Sequence, residues 1–256
     1  MIFRVNHKGI LIEVYKAKKD IGKCVIVIPG LPNQPQNLIY GQELSDKNLT
    51  IFQPRYIGSW ESSGEFSLKN CLKTLNETIK LVKKQVAIES YNCKKINWKC
   101  KEITIIATSF GTSIQLSLDN YKDIDKLVSI APLTNLTKHS KNANLPEQNL
   151  ESLYDFLKIG FKEAFRGFKK SDWTKFLKGN SKANPINNTT KIRNKKILLV
   201  HSNKDNTINI SRTKEYYKLI KANNNVDLKL YNKCSHGKSI KKASLPYVTE
   251  WILRDE

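Results

Sequence analysis

The sequence predicts an α/β protein with a mostly parallel, doubly wound sheet, an antiparallel strand pair at its N-terminus and a helical insertion. Three observations carry this prediction. Short apolar runs rich in β-branched residues recur along the 256 residues. Helix-length segments with apolar residues at helical spacing separate several of them, the arrangement expected of a parallel sheet covered on both faces. No internal repeat or low-complexity linker divides the chain, so residues 1–256 are expected to form one domain.

The elements follow in order. MIFRVNHKGILIEVYKAKK alternates apolar and polar residues and predicts a strand pair around NHKG, added to one edge of the sheet. CVIVIPG (24–30) is a β-branched run stopped by Pro-Gly, and LTIFQPRYIG (49–58) is a second run ended by a turn. LKNCLKTLNETIKLVKKQVA (68–87) places Leu72, Leu75, Ile79, Val82 and Val86 at helical spacing. EITIIATS (102–109) is the third run, with IQLSLDNY (114–121) expected to continue as a helix. KLVSIAP (126–132), KKILLVHS (195–202) and VDLKLYN (226–232) complete the strands. RTKEYYKLIKA (212–222) and SLPYVTEWILRD (244–255) read as helices.

About sixty residues between the fourth and fifth runs interrupt this rhythm, too long for a plain crossover. Leu153, Phe156, Leu157, Phe161, Ala164, Phe165 and Phe168 recur there at helical spacing, with Trp173 and Phe176 following. The expectation is a helical cap over 133–190 whose aromatic face covers a substrate pocket. A pair of helices packed on the sheet is the other account.

Composition excludes several classes. Hydrophobic residues make up 39% and charged residues 26%, ordinary globular usage. No run approaches the roughly 20 apolar residues of a membrane span. No apolar signal-peptide core follows the start, so a cytoplasmic protein is expected. The formal charge of +21 rests mainly on lysine: the arginines are Arg4, Arg55, Arg166, Arg193, Arg212 and Arg254. With the chain also rich in asparagine, this reads as a compositional bias and a uniformly basic surface. Weak contact with polyanions or anionic membrane is the expectation, with no specific nucleic-acid partner. Cys24, Cys71, Cys93, Cys100 and Cys234 are odd in number and lack C-x-x-C spacing, so reduced thiols are expected, with no disulfide framework or metal site.

The chemistry centres on Ala107-Thr108-Ser109-Phe110-Gly111, a G-x-S-x-G pattern with Ala in the first position. It directly follows an apolar run, and small residues suit a strained turn where a helix crosses close over a strand. A serine needs a base, and the base needs an orienting acid. In an open parallel sheet these groups belong at the carboxyl ends of strands. Asp205 occupies such a loop, in HSNKDNTI, although capping the next helix or forming a turn would also explain it. Of the four histidines, His236 alone follows the last strand, in NKCSHGKS, whereas His201 at a strand end reads as a packing residue. Ser109, Asp205 and His236 therefore appear in nucleophile, acid, base order, each after its own strand. A developing oxyanion needs fixed donors, for which the backbone N–H groups of Phe110 and Leu31 are the candidates. Pro32 has no N–H to give, and a simple tight turn is the alternative reading at Gly30-Leu31-Pro32.

From about residue 10 onward the chain resembles the α/β-hydrolase superfamily. PGLPNQPQN and PRYIGSWESSGEFS (54–67) are similar to segments of small single-domain acylaminoacyl-peptidase-like or dipeptidyl-peptidase-like serine hydrolases, as are FKEAFRG and ANP in the insertion. The resemblance implies Ser109 as nucleophile, Asp205 as acid, His236 as base, and Leu31 and Phe110 as oxyanion donors. Two positions depart from it: Ala107 stands for the usual Gly, and PGLP for the commoner HG. The expected activity is hydrolysis of a carboxylic ester, thioester or amide of a small acyl substrate through an acyl-enzyme, needing no metal or organic cofactor. Trp60, Phe161 and Phe165 are the candidate pocket residues, with ordinary core packing an equal account of Trp60. The alternatives are an aminopeptidase-like acyl-peptide hydrolase, a lipid esterase drawn to anionic interfaces, and a non-catalytic basic binding protein on the same scaffold.

Overall fold

The computed structural model describes residues 1–32, 40–137 and 150–254. Eight strands form one sheet: β1 (Ile2–His7), β2 (Ile10–Tyr15), β3 (Lys23–Ile28), β4 (Thr50–Pro54), β7 (Glu102–Thr108), β8 (Lys126–Ile130), β9 (Lys196–Ser202) and β10 (Asn225–Tyr231). Their order across the sheet is β1-β2-β4-β3-β7-β8-β9-β10. β1 and β2 pair antiparallel around Lys8 and Gly9, whose positive φ of 53° and 79° matches the twist of a tight hairpin. β2 meets β4 antiparallel, and from β4 to β10 every neighbour is parallel. The carboxyl ends of those six strands therefore share one edge. This is the mixed, mainly parallel sheet that the alternating pattern predicts.

Burial explains why the central strands are so apolar. Val25, Ile26, Ile105, Ile106, Val128 and Ile130 are fully enclosed, with helices packed on both faces. α2 (Leu68–Lys84) covers one face. Its Ser67 cap accepts a hydrogen bond from Asn70 N–H at 3.2 Å, and Lys83 and Lys84 lie in its last turn, where the helix dipole favours cations. On the other face lie α1 (Gly41–Ser45) and α7 (Lys238–Leu253). α3 (Phe110–Gln115) follows β7, and α6 (Ile210–Ile220) connects β9 to β10.

Four expectations about element limits change. The helix expected over 68–87 ends at Lys84, because Gln85 turns left-handed at φ 59°. Val86 instead starts β5 (Val86–Ile88), which pairs with β6 (Lys95–Asn97) in a separate two-stranded ribbon. The helix after Ser109 stops at Gln115: the Tyr121 hydroxyl donates to Gln115 O at 2.9 Å and accepts from Leu118 N–H at 3.1 Å, closing off the helix end. The last helix starts at Lys238, six residues before SLPYVTEWILRD, directly after Gly237 at φ 78°. In the insertion, α4 (Leu150–Gly160), a 3-10 turn (Lys162–Ala164), α5 (Lys170–Leu177) and a second 3-10 segment (Pro185–Lys191) replace one continuous helical pattern. Phe165 leaves helical geometry to bridge Ser59. Residues 138–149 of the expected cap, and 33–37 of PGLPNQPQN, lie outside the described residues.

The PRYIGSWESSGEF segment is held by a buried ion pair. Arg55, with no exposed surface, contacts Glu13 on β2 at 3.0 Å and Glu61 at 3.5 Å. Removing one member of such a pair leaves the other charge stranded, which typically costs about 3–5 kcal/mol. Arg55→Met should destabilise the protein by about that amount in urea unfolding. A loss below about 1 kcal/mol would show that Arg4, 3.7 Å from the same Glu13 oxygen, compensates.

Candidate active site

The site begins where β7 runs into α3. Ser109 joins them with φ 52° and ψ −123°, a conformation that non-glycine residues rarely hold unless their surroundings enforce it. Three contacts do so. Ser109 N–H donates to Ile130 O at 3.0 Å, on the neighbouring strand end. The Thr112 hydroxyl donates to Ser109 O at 2.6 Å and accepts from Leu133 N–H at 2.9 Å. Gly111 supplies the clearance, since a Cβ there would fall 2.5 Å from Pro29 O and 2.6 Å from Ile28 O. A Cβ on Gly30 would lie 3.3 Å from Ser109 Cβ, so the loop after β3 is also drawn against the serine.

The other two groups arrive on loops from the same sheet edge. Ser109 Oγ lies 3.0 Å from His236 Nε2, and His236 Nδ1 lies 2.7 Å from Asp205 Oδ2. Residues 127 apart in sequence thus share one hydrogen-bonded chain. The Asp205 side chain has no exposed surface. Its Oδ1 accepts from Thr207 N–H and Ile208 N–H, each at 2.9 Å. Burial opposes its ionisation, but hydrogen bonds from His201 and His236, the charge available on His236 and the Ile208 amide outweigh that and hold its pKa well below the ordinary 3.8. With Asp205 ionised, proton placement follows: Nδ1 of His236 carries the hydrogen and Nε2 is free to accept one from Ser109. His201, expected to pack, is fully buried between the Thr213 hydroxyl and Ile208 O. Its Nε2 also lies 3.2 Å from Asp205 Oδ2, so it buttresses the carboxylate.

Phe110 is the first residue of α3, and its amide has no intrahelical acceptor. Leu31 lies in the loop after β3. Among the described residues neither amide donates to a backbone carbonyl, so both are available to a ligand atom. The ring of Phe110 is pinned edge-on to Tyr56 and Phe176, 5.9 and 5.6 Å between centroids. Tyr56 in turn donates its hydroxyl to Pro29 O at 2.7 Å. A cavity of about 170 Å³ opens beside Ser109 and His236, bounded by Gly30, Leu31 and Pro32 on the loop side.

Trp60, Phe161 and Phe165 do not line that cavity. Trp60 donates its indole N–H to Pro32 O at 3.2 Å and stacks edge-on with Phe161 and Phe165. Phe165 is fully buried against Phe66. The cavity is completed instead by residues that sequence reasoning passed over: Tyr40, Gln53, Lys238 and Lys241. Proximity of Lys238 and Lys241 to His236 along the chain was the one available signal, and it is hidden among many lysines. Among the described residues no cluster of His, Cys, Asp and Glu could hold a metal ion, and no helix is long and apolar enough to cross a membrane.

No family model matches the sequence. No curated protein matches it either. Solved structures do. The chain is similar to the Pyrococcus furiosus esterase Pf2001, with a TM-score of 0.61 at 20% identity over 98% of this chain and 86% of that one. It is similar to Est1E from Butyrivibrio proteoclasticus, with a TM-score of 0.64 at 14% identity over 98% and 95%. The thioesterase domain from the curacin biosynthetic pathway aligns with a TM-score of 0.62 at 10% identity over 99% of both chains. Strand order, the helices on both sheet faces and these likenesses agree: the chain adopts the α/β-hydrolase fold.

Proposed function

We propose that the chain is a serine hydrolase that cleaves a carboxylic ester of a small acyl substrate. The observation that carries this reading is the unbroken hydrogen-bonded chain from Ser109 through His236 to buried, ionised Asp205. Ser109 Oγ attacks the substrate carbonyl while His236 Nε2 takes its proton. Asp205 keeps the imidazole in the required tautomer and stabilises the imidazolium as it forms. The amides of Phe110 and Leu31 receive the charge that develops on the carbonyl oxygen. His236 then returns its proton to the leaving alcohol, and water releases the acyl group by the same steps in reverse roles. The structural neighbours, two esterases and a thioesterase domain, support an ester or thioester over an amide. The insertion after β8 acts as the cap: through Trp173 and Phe176 it braces Phe110, and through Phe161 and Phe165 it braces Trp60.

Labelling with a fluorophosphonate probe, followed by peptide mapping, should mark Ser109 alone. Ser109→Ala should abolish labelling and lower kcat on short-chain esters by roughly four to six orders of magnitude. Activity that survives the substitution removes the proposal. A second test follows from Asp205. Its pKa in the folded protein lies below 3.8, the value it regains on unfolding, so the stability it contributes is complete above that value and is lost as pH falls towards the folded one. The urea midpoint of the wild type should therefore drop as pH is lowered below about 4, and Asp205→Asn should lack that part of the drop. Parallel profiles for the two proteins would contradict it.

A further inference from the structure

The cavity beside Ser109 is unlike an ordinary acyl pocket. Tyr40, Gln53, Thr108, Lys238 and Lys241 line it, and among the described residues no carboxylate does. Lys238 and Lys241 stand one turn apart at the start of α7, a 16-residue helix whose first turn contains no acidic residue. The N-terminal end of that helix adds partial positive charge at the same place. Lys241 is half-buried, and among the described residues no acid or carbonyl meets its ammonium. Burial pulls its pKa down to about 8, with no counter-charge opposing the shift. Tyr40 also borders the cavity, only 4% exposed, with its hydroxyl enclosed beside those of Thr108 and Ser244. A half-buried ammonium without a counter-charge is costly unless a ligand completes it.

We propose that Lys241, with the N-terminal end of α7, forms a subsite that binds a carboxylate carried by the substrate. This rests on the hydrolase reading and narrows it: the preferred substrate is an ester with a free carboxylate on its acyl or its alcohol part. The cavity volume matches about five or six water-sized groups, which suits a short carboxylate-bearing chain. Lys238, exposed at the mouth, adds attraction without close contact. The charged or titratable groups around Lys241 in the cavity are Lys238, His236 and Tyr40, and none supplies a negative charge at neutral pH.

The test uses two matched pairs of esters. Monoethyl glutarate and ethyl 5-methylhexanoate differ by a carboxylate on the acyl part; 4-butyryloxybutanoate and 4-methylpentyl butyrate differ by one on the alcohol. The readout is the kcat/KM of the charged ester divided by that of its neutral partner, so a general loss of activity cancels. Lys241→Met should lower this ratio roughly 10- to 100-fold for one pair, and Lys241→Arg should restore most of it. The pair that responds identifies which part carries the anion. In the wild type the ratio should fall as pH rises through about 8, while any pH effect on the hydrolytic step itself cancels in the ratio. Ratios unaltered by Lys241→Met in both pairs overturn the subsite. If no ester is turned over, the hydrolase reading fails separately. Calorimetry on Ser109→Ala still decides the subsite: binding of monoethyl glutarate or 4-butyryloxybutanoate should weaken 10- to 100-fold when Lys241→Met is added. No binding of either, or binding that the second change leaves alone, overturns it.

Discussion

The structure depends on one close approach: the start of α3 pressed against the end of β3. Gly111 sits where any side-chain carbon would overlap the Ile28 and Pro29 carbonyls. That contact fixes how far α3 descends into the sheet and holds Ser109 in a backbone conformation costing on the order of 1–3 kcal/mol. The strain is met by bonds that cross between strands, from Ser109 N–H to Ile130 O and through Thr112 to Leu133. Beneath them the buried Gln115 amide donates to Ile105 O and Val128 O and accepts from the Ser129 hydroxyl. The elbow is therefore clamped from three strands at once. The same contact brings the Phe110 amide and the loop carrying Leu31 to one side of the serine.

Electrostatics divides the site into two unlike halves. Behind His236, the buried Asp205 receives two backbone amides and two imidazoles, so its negative charge is offset by donors on every side. A carboxylate satisfied in this way is rigid as well as ionised, which is what an orienting group needs. In front of His236, Lys241 borders the cavity without a comparable partner. Full satisfaction marks a group whose task is complete within the fold. Incomplete satisfaction next to a nucleophile marks one whose partner arrives with the ligand.

Some of this was legible in the sequence, and the reasons are physical. β-branched runs ended by Pro-Gly or by small residues are local signals, so the sheet and the edge it shares could be read directly. From that edge, the order Ser109, Asp205, His236 could be read as well. The β5–β6 ribbon was hidden because Val86 continues the apolar spacing of α2, and nothing in the identity of Gln85 announces a left-handed residue. The short α3 depends on Tyr121 folding back, a tertiary contact that helical periodicity does not report. Trp60, Phe161 and Phe165 were pocket candidates on aromaticity alone; in the fold Phe161 and Phe165 stack on Trp60, which donates to Pro32 O beside Leu31. The cavity's own residues come from β4, the segment before α1 and the start of α7, which only the folded sheet brings together.

The basic composition and the half-buried Lys241 act over different ranges. The net charge of +21 raises the local concentration of any anion near the protein, and at about 0.1 M salt that attraction fades over roughly 10 Å. It cannot choose among anions, because every solvated lysine offers much the same weak contact. Lys241 sits where water is partly excluded, so a charge that meets it interacts more strongly and with less screening. Discrimination therefore depends on burial rather than on the number of cations. Added salt should weaken the encounter of an anionic ester with the surface far more than its preference once it reaches Ser109. A protein this rich in lysine thus needs a structural criterion to separate a recognition residue from background charge, and half-burial without a counter-ion beside the nucleophile supplies one.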